Sequence, residues 1–221
     1  MLQKLLRFSR VAFFAFSCYN SFMLLTLPVP EYAGSVDPDH FARFCESYEE
    51  RPRRASSELA EYDRMLTQEA DILLEPVSAE LSRATSYSVS RFRVVTYEPT
   101  LPDQSFGGSY TGEWHIDGVP DDGAIETLIA DIHTTEALSG ELDPYNLDWD
   151  GTQIDEDLAE ALAAQDDATL SESYGLTIHN KTPTHTALIS AERLVHRSPA
   201  NKTGQLVSRN LLIARFIPVE Y

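Results

Sequence analysis

Four residues have the types and spacing needed to bind a metal ion together with an acidic cosubstrate. His115 and Asp117 are two positions apart, His196 lies far downstream, and Arg209 follows it. Two imidazoles and one carboxylate can occupy one face of an octahedral iron(II), which leaves positions open for a cosubstrate and dioxygen. A guanidinium can form a planar, bidentate pair with the distal carboxylate of a dicarboxylate cosubstrate. The pattern therefore predicts a non-haem iron(II) site beside a carboxylate-binding arginine.

The spacing of His115 and Asp117 suits a shared metal ion. In an extended backbone, side chains two positions apart leave on the same face, so both can reach one ion. The alternative is a surface histidine beside an exposed aspartate. His196 favours the metal interpretation because it borders an apolar strand-like segment and supplies a ligand distant in sequence. Three other histidines fit less well and are interpreted as polar or solvated residues: His133, His179 and His185.

Arg209 is the preferred carboxylate-binding residue, and Arg215 is the alternative. On a strand the two arginines share one face with apolar neighbours. The competing interpretation of Arg209 is an ion pair with a surface carboxylate. Tyr97 and Trp114 are candidates to line the same pocket, while packing in the core of a sheet would also explain both residues.

Three segments in order carry a larger pattern. Gly112–Gly118 reads GEWHIDG, Asp131–Leu142 reads DIHTTEALSGEL, and Val195–Arg209 begins VHRSPAN. Together they resemble three successive blocks of the phytanoyl-CoA hydroxylase-like branch of the Fe(II)/2-oxoglutarate-dependent dioxygenases. The similarity covers residues 87–216. Two departures concern the subfamily and substrate: the sequence lacks the Pro-Gly-Ser-His run expected after the middle block, and it lacks the Ser or Thr that many relatives outside this family place two residues after the arginine.

The resemblance implies an activity and a set of site residues. Fe(II) would be held by His115, Asp117 and His196, and 2-oxoglutarate would be the cosubstrate, bound by Arg209 with Tyr97 nearby. Dioxygen would convert 2-oxoglutarate to succinate while the substrate is hydroxylated. Because Asp117 is a carboxylate rather than Gly or Ala, no position for a halide is opened, and hydroxylation is favoured over halogenation.

Charge along the chain constrains the partners. The 221 residues have a formal net charge of −18, and the segment from Val94 to Asn180 holds 20 Asp and Glu but no Lys or Arg. A negative field repels polyanions, so we expect no nucleic-acid partner and favour a small, possibly cationic substrate. The alternative interpretation of the acidic segment is a solvated surface.

Periodicity predicts an α+β fold with a mainly β core. Helical spacing occurs at 40–48, from Ser56 or Ser57 to near Pro76, and at 77–84, whereas alternation from Tyr87 onward predicts strands at 87–97, 124–133, 174–179, 185–190 and 208–216. Several short strands separated by turns indicate an antiparallel barrel or a double-sheet jelly roll. Of these, we expect the jelly roll, or double-stranded β-helix, buttressed by the N-terminal helices. We expect a helical buttress at 31–85, entered through a link at 28–38, and a catalytic core at 86–221. An acidic insertion at about 143–172 would contain one surface helix at 155–169.

Residues 1–30 form an apolar N-terminal segment with basic residues at its start. A signal, a membrane anchor and a packed helix are the interpretations considered, and membrane contact is expected only for an anchor. Cys18 and Cys45 match neither a zinc spacing nor a CxxC motif, so reduced thiols and a cytoplasmic location are favoured.

Three alternatives remain at the level of sequence. A non-catalytic cupin-like module could bind a metal or ligand without turning over 2-oxoglutarate, and it would not need a buried arginine. An acidic secreted or membrane-tethered interaction domain would make the histidines incidental. Acidic positions between Asn146 and Asp157 also approximate a calcium-loop register, but an acidic solvated loop is the favoured interpretation of this segment.

Overall fold

Two antiparallel sheets and flanking helices make up the described part of the protein. The structure is a computed structural model, and it describes residues 31–52, 57–82, 87–108, 112–116, 124–132, 136–139, 156–164, 166–179, 184–190 and 195–219. The strands within these ranges are β1 Glu31–Ser35, β2 Tyr87–Thr100, β3 His115–Ile116, β4 Ile125–Ala130, β5 Glu136–Ser139, β6 Thr177–His179, β7 Thr186–Ser190, β8 Val195–Arg197 and β9 Val207–Pro218. The helices are α1 Pro38–Glu49, α2 Ser57–Leu73, α3 Glu75–Leu81, α4 Glu156–Ala163 and α5 Asp167–Tyr174.

The chain passes repeatedly from one sheet to the other. The five-stranded sheet has the order β1-β7-β4-β9-β2, and the four-stranded sheet has the order β3-β8-β5-β6. Every paired strand in both sheets is antiparallel to its neighbour. Strands distant in sequence, such as β2 and β9, therefore lie side by side.

Helices α1 to α3 cover the outer face of the five-stranded sheet. Apolar side chains alternate along its strands, and every second one joins the helices in one buried cluster. Representative members are Phe41, Phe44, Leu66, Leu73, Val77, Ile129, Leu212 and Phe216. The expected combination of helices with a mainly antiparallel β core is thus confirmed.

The start of α1 shows how the sequence begins a helix. Pro38 occupies the first turn, where a missing backbone N–H costs nothing, and the Asp37 side chain accepts a hydrogen bond from the backbone N–H of His40 at 2.7 Å. Phe41, Phe44 and Cys45 then face the sheet.

Two smaller apolar clusters lie on opposite faces of the four-stranded sheet. The inner cluster joins Ala137 of β5 to residues of the five-stranded sheet, including Leu188 and Leu211. The outer cluster joins Leu138 of β5 to helices α4 and α5. The order of layers is therefore helices, five-stranded sheet, four-stranded sheet and helices.

Two sequence expectations need correction. The segment predicted as a link contains strand β1, which pairs with β7 and forms one edge of the five-stranded sheet. The short length of β1 and its Gly34 hid the alternation. The acidic segment was predicted to hold one surface helix, but it holds α4 and α5. Asp166 separates them, because its side chain accepts a hydrogen bond from the backbone N–H of Thr169 and caps α5. Leu162 and Leu170 are fully buried, so these helices pack on the sheet.

The other predicted helices and strands are confirmed to within a few residues. No helix among the described ranges combines the length and apolar character required to cross a bilayer. Residues 1–30 and most of the calcium-loop register lie outside the described residues.

Candidate metal centre

His115 and His196 are brought together by strand pairing. They are directly opposed on β3 and β8, and their ring centroids are 4.4 Å apart. Their chain neighbours Trp114 and Val195 belong to the outer cluster of the four-stranded sheet. Since successive side chains point to opposite faces, both histidines lie on the inner face, toward the five-stranded sheet. Two of the three predicted ligands therefore lie side by side.

The tautomer of His115 is fixed by a backbone contact. Its Nδ1 lies 2.8 Å from the carbonyl oxygen of Glu113. A carbonyl oxygen only accepts hydrogen bonds, so Nδ1 carries the proton and Nε2 carries the lone pair. Histidine ligands of metals commonly show this arrangement, in which one nitrogen donates to a backbone carbonyl and the other faces the ion. The chemistry of this side chain fits a metal ligand.

Asp117, the third predicted ligand, lies outside the described residues. Within the described ranges, His, Cys, Asp and Glu form no group of three placed to hold a metal ion. The described part of the site thus consists of the histidine pair. In the sequence, Asp117 directly follows Ile116, the last residue of β3.

Arg209 lies in the interior between the sheets. It is fully buried on β9, and one terminal nitrogen donates to the Ser198 hydroxyl at 3.1 Å. Two aromatic rings flank its guanidinium carbon, Tyr97 at 5.6 Å and Phe106 at 5.7 Å from the ring centroids. Tyr97 is also the residue directly opposite Arg209 in the β2–β9 ladder. The predicted pair of Tyr97 and Arg209 is therefore in contact.

Burial dominates the electrostatics of Arg209. Desolvation lowers the pKa of its guanidinium from the ordinary value, while Tyr97 and Asp131 act in the opposite direction. An arginine nevertheless stays ionised in proteins, so this interior keeps a positive charge. Such a charge attracts a carboxylate into the space between the sheets.

The segment from His196 to Asn201, which reads HRSPAN, has a structural explanation. Ser198 accepts the hydrogen bond from Arg209. Asn201 is fully buried, and its amide nitrogen donates to the carbonyl oxygens of Thr100 and Gln205, each at 2.7 Å. The Asn201 side-chain oxygen accepts from the backbone N–H of Thr203 at 3.0 Å. Asn201 thereby joins the end of β2 to the loop between β8 and β9, on which Ser198 lies.

Sequence reasoning missed Arg197. Its guanidinium carbon lies 4.0 Å from the centroid of the Trp114 ring, and its nitrogens form ion pairs with Glu136 and Asp167. The contact between Trp114 and Arg197 could have been predicted from the dipeptides Trp114-His115 and His196-Arg197. If the two histidines are opposed on antiparallel strands, Trp114 and Arg197 must be opposed on the other face. Trp114 therefore packs outward and does not line the pocket proposed for it.

The remaining candidates lie farther from the histidine pair. Arg215 is opposite Glu126 and Arg91, six residues along β9 from Arg209. His179 is only partly buried, but it lies on the same sheet as His196, with Ala137 between them.

His185 adopts a left-handed backbone conformation with φ of 58°, and its ring packs edge-on against Phe41 at 5.3 Å. His185 precedes β7, its backbone N–H donates to the Ala130 carbonyl oxygen at the end of β4, and its ring contacts α1. His133 lies outside the described residues.

Comparison with known proteins gives structural similarities only. No protein-family model and no curated protein sequence matches the chain. The nickel complex of the non-heme monooxygenase ThoJ is similar over 85% of this chain and 72% of that chain, at 13% identity and a TM-score of 0.48. AviO1 from Streptomyces viridochromogenes Tue57 is similar over 84% and 88%, at 16% identity and a TM-score of 0.43.

Iron-bound HygX from Streptomyces hygroscopicus is similar over 86% of this chain and 82% of that chain, at 13% identity and a TM-score of 0.41. The TM-scores of all three similarities lie below 0.5.

Proposed function

We propose that the protein is an Fe(II)- and 2-oxoglutarate-dependent oxygenase that hydroxylates a small molecule. The observation that carries the proposal is the opposed pair of His115 and His196 on the inner face of one sheet. A buried Arg209 on the facing sheet adds the cationic group that a dicarboxylate cosubstrate requires. A cupin-like binding module has no need of that buried charge, so Arg209 favours the oxygenase.

We also propose that the two sheets form a double-stranded β-helix over residues 86–221. Strands β2 to β9 supply four members to each sheet, in the orders β2-β9-β4-β7 and β3-β8-β5-β6. This interleaving of early and late strands is expected of a jelly roll. Residues 31–85 would support this core, and the acidic insertion at about 143–172 would cover its outer face.

In this proposal His115, Asp117 and His196 hold the iron. The Nε2 lone pair of His115 is oriented by the Glu113 carbonyl, and a carboxylate two residues after His115 can reach the same ion from an extended backbone. Bound iron(II) would supply the redox chemistry that couples decarboxylation of 2-oxoglutarate to hydroxylation by dioxygen. A carboxylate at position 117, in place of the Gly or Ala that would leave room for a halide, favours hydroxylation.

Arg209 would bind the distal carboxylate of 2-oxoglutarate. The Ser198 hydroxyl holds one nitrogen of the guanidinium, and the rings of Tyr97 and Phe106 limit its movement. A pre-oriented guanidinium loses little conformational freedom on forming a bidentate pair. The arriving carboxylate also compensates the desolvated charge, so binding and burial reinforce each other. The rings of Tyr97 and Phe106 would shield this ion pair from water.

The substrate is proposed to be small and possibly cationic. No Lys or Arg occurs between Val94 and Asn180, the segment that contains His115 and the acidic helices. The resulting negative field would attract a cation and repel the phosphates of an acyl-CoA.

An anaerobic titration tests the proposal. Fe(II) is added to the metal-free protein with 2-oxoglutarate, and the metal-to-ligand charge-transfer band of the chelate is followed. We expect a saturable band in the wild type, no band in His196→Ala, and a band that needs at least about tenfold more 2-oxoglutarate in Arg209→Ala.

The chain offers matched controls. His40 contacts Glu69 among the helices, and Arg91 is an exposed arginine near Glu126. His40→Ala and Arg91→Ala should give the wild-type band. If the folded wild type produces no band at saturating Fe(II) and 2-oxoglutarate, the oxygenase proposal is wrong.

A further inference from the structure

We propose that Trp114 and Arg197 form a positioning pair that fixes the two histidine ligands from the opposite face of the sheet. The inference rests on the proposed iron site, because it assigns a purpose to the residues directly behind that site. Trp114 precedes His115, and Arg197 follows His196. The stacked pair therefore lies next to the histidine pair, immediately before the start of β3 and at the end of β8, and on the opposite face.

The contact between Trp114 and Arg197 is close and shielded from water. The guanidinium carbon lies 4.0 Å from the ring centroid, within the range of a cation–π interaction. Trp114 is 1% exposed, and the Arg197 side chain is 12% exposed. Val195 and Leu138 complete the apolar surroundings. The low dielectric of these buried surroundings strengthens the interaction between the Arg197 cation and the Trp114 ring.

Arg197 is itself fixed by two carboxylates. Its Nε donates to Glu136 on the neighbouring strand β5, and one terminal nitrogen contacts both carboxylate oxygens of Asp167 at 3.2 and 3.3 Å. Asp167 is the first residue of α5. The guanidinium of Arg197, at the end of β8, therefore contacts three other segments. Its planar face stacks on Trp114 before β3, and its edges form ion pairs with Glu136 on β5 and Asp167 on α5. Each attachment removes a direction in which β8 could shift against β3.

The histidine pair needs this support because the short pairing of β3 with β8 does little to fix the position of one strand against the other. The β3–β8 ladder contains only two residue pairs, His115 with His196 and Ile116 with Val195. Adjacent cross-strand side-chain contacts are the main source of stability in so short a ladder. A shift of β3 along β8 would move one imidazole past the other and separate two of the three metal ligands. The outer stack therefore controls metal affinity through strand position.

Arginine is required for this role by its shape. Stacking on an indole uses the planar face, and the ion pairs use the edges, so both can form at once. A lysine ammonium keeps the charge but cannot make these contacts together. Arg197→Lys should therefore retain only part of the effect.

Cobalt(II) binding without 2-oxoglutarate tests the inference. Co(II) is titrated into metal-free protein, its visible d–d bands report the ligand geometry, and competition with a chelator gives the affinity. We expect Arg197→Ala to weaken Co(II) binding by about 10- to 100-fold, the range typical of residues that orient metal ligands. Arg197→Lys and Trp114→Phe should show smaller losses, and their d–d spectra should differ from that of the wild type.

Two controls separate positioning from general stability. Leu162→Ala removes a buried side chain from the same outer cluster and leaves both residues of the stack unchanged, and Arg91→Ala removes an exposed arginine. Urea unfolding of each metal-free variant gives its stability. Leu162→Ala should lower stability while keeping the wild-type Co(II) affinity and spectrum, and Arg91→Ala should change neither.

The outcomes are distinguishable. If folded wild type binds no Co(II), the proposed metal site fails, and this inference fails with it. If wild type binds Co(II) and the Arg197 and Trp114 variants bind equally well, only the positioning role is overturned. The same holds if affinity follows stability across all variants, including Leu162→Ala. If Arg197→Ala does not fold, Arg197→Lys and Trp114→Phe decide the question.

Discussion

Tyr97 and Arg209 are directly opposed on β2 and β9, and the Arg209 guanidinium carbon lies 5.6 Å from the Tyr97 ring centroid. Arg209 is fully buried there, so its charge depends on the groups that surround it. An aromatic ring at this distance stabilises a cation through its face rather than through its hydroxyl. Tyr97 therefore acts on the proposed cosubstrate through the arginine.

This relationship predicts how two substitutions of Tyr97 differ. Tyr97→Phe keeps the ring and should change 2-oxoglutarate affinity by less than about twofold, whereas Tyr97→Leu should weaken it by about 1 kcal/mol, or fivefold. Anaerobic calorimetric titration of 2-oxoglutarate into the Co(II)-loaded protein measures both. An equal loss of affinity in the two variants would instead show that Tyr97 contributes to 2-oxoglutarate binding through its hydroxyl.

Asn201 should be among the most sensitive residues outside the metal centre. Its buried amide satisfies two carbonyl oxygens, and its side-chain oxygen accepts from the Thr203 backbone. Asn201→Ala leaves these groups without their partner, so we expect the free energy of unfolding to fall by about 2–4 kcal/mol in urea.

Asn201→Asp provides the internal comparison. It keeps the shape of the side chain but turns the donor toward Thr100 and Gln205 into an acceptor facing two carbonyl oxygens. It should therefore be at least as destabilising as Asn201→Ala at pH 7. A milder effect for the aspartate would show that the two donated hydrogen bonds contribute little.

Local patterns predicted the elements, and long-range pairing decided the site. Helical spacing and the alternation after Tyr87 predicted α1 to α3, β2 and β9, because those segments are long enough for periodicity to be read. Strands β3 and β8 have two and three residues, which is too short for any pattern. That His115 and His196 would lie close together was expected from their residue types and the motif similarity, and not from periodicity.

The role of Arg197 shows what sequence could not supply. Its partners Trp114, Glu136 and Asp167 come from three separate segments. No local spacing links them, since they meet only through the register of β3, β8 and β5. The prediction of a single α-helix in the acidic segment was wrong for a related reason. Asp166 acts there as a helix cap rather than as a residue in the interior of a helix.

The buried thiol of Cys45 predicts a loss of stability at alkaline pH. Burial, with smaller contributions from Asp131, Glu49 and Glu46, raises the pKa of Cys45 from 9.0 to about 12. The unfolded thiol ionises above pH 9 while the folded thiol keeps its proton. The stabilising contribution is therefore complete below pH 9 and declines as the pH rises toward 12.

The measurement is urea unfolding at pH 8, 9.5 and 10.5 in a Cys18→Ser background. Compared with Cys45→Ala, the protein with Cys45 should lose stability more steeply, by on the order of 1 kcal/mol per pH unit above pH 9. Parallel pH profiles for the two proteins would mean that the thiol ionises as easily in the folded state as in the unfolded one.

Gly34 predicts the strength of the contact between β1 and α3. Its φ is +66°, and an added Cβ would lie 2.8 Å from the Pro76 carbonyl oxygen and 2.9 Å from the Pro76 carbonyl carbon. The backbone atoms of a helix cannot give way as a flexible side chain can. Gly34→Ala must therefore both strain its own backbone and separate β1 from α3. We expect a loss of about 2–4 kcal/mol in the free energy of unfolding.

Gly175 isolates the steric part of that loss. It has nearly the same conformation, with φ of +67°, but an added Cβ would meet nothing within 4 Å. Gly175→Ala should therefore cost only the strain of a left-handed alanine, about 1 kcal/mol. Urea unfolding of both variants under one condition gives the difference. If the two losses are equal, the approach of Gly34 to Pro76 is not a tight contact in solution, and β1 is held to the fold by its pairing with β7 alone.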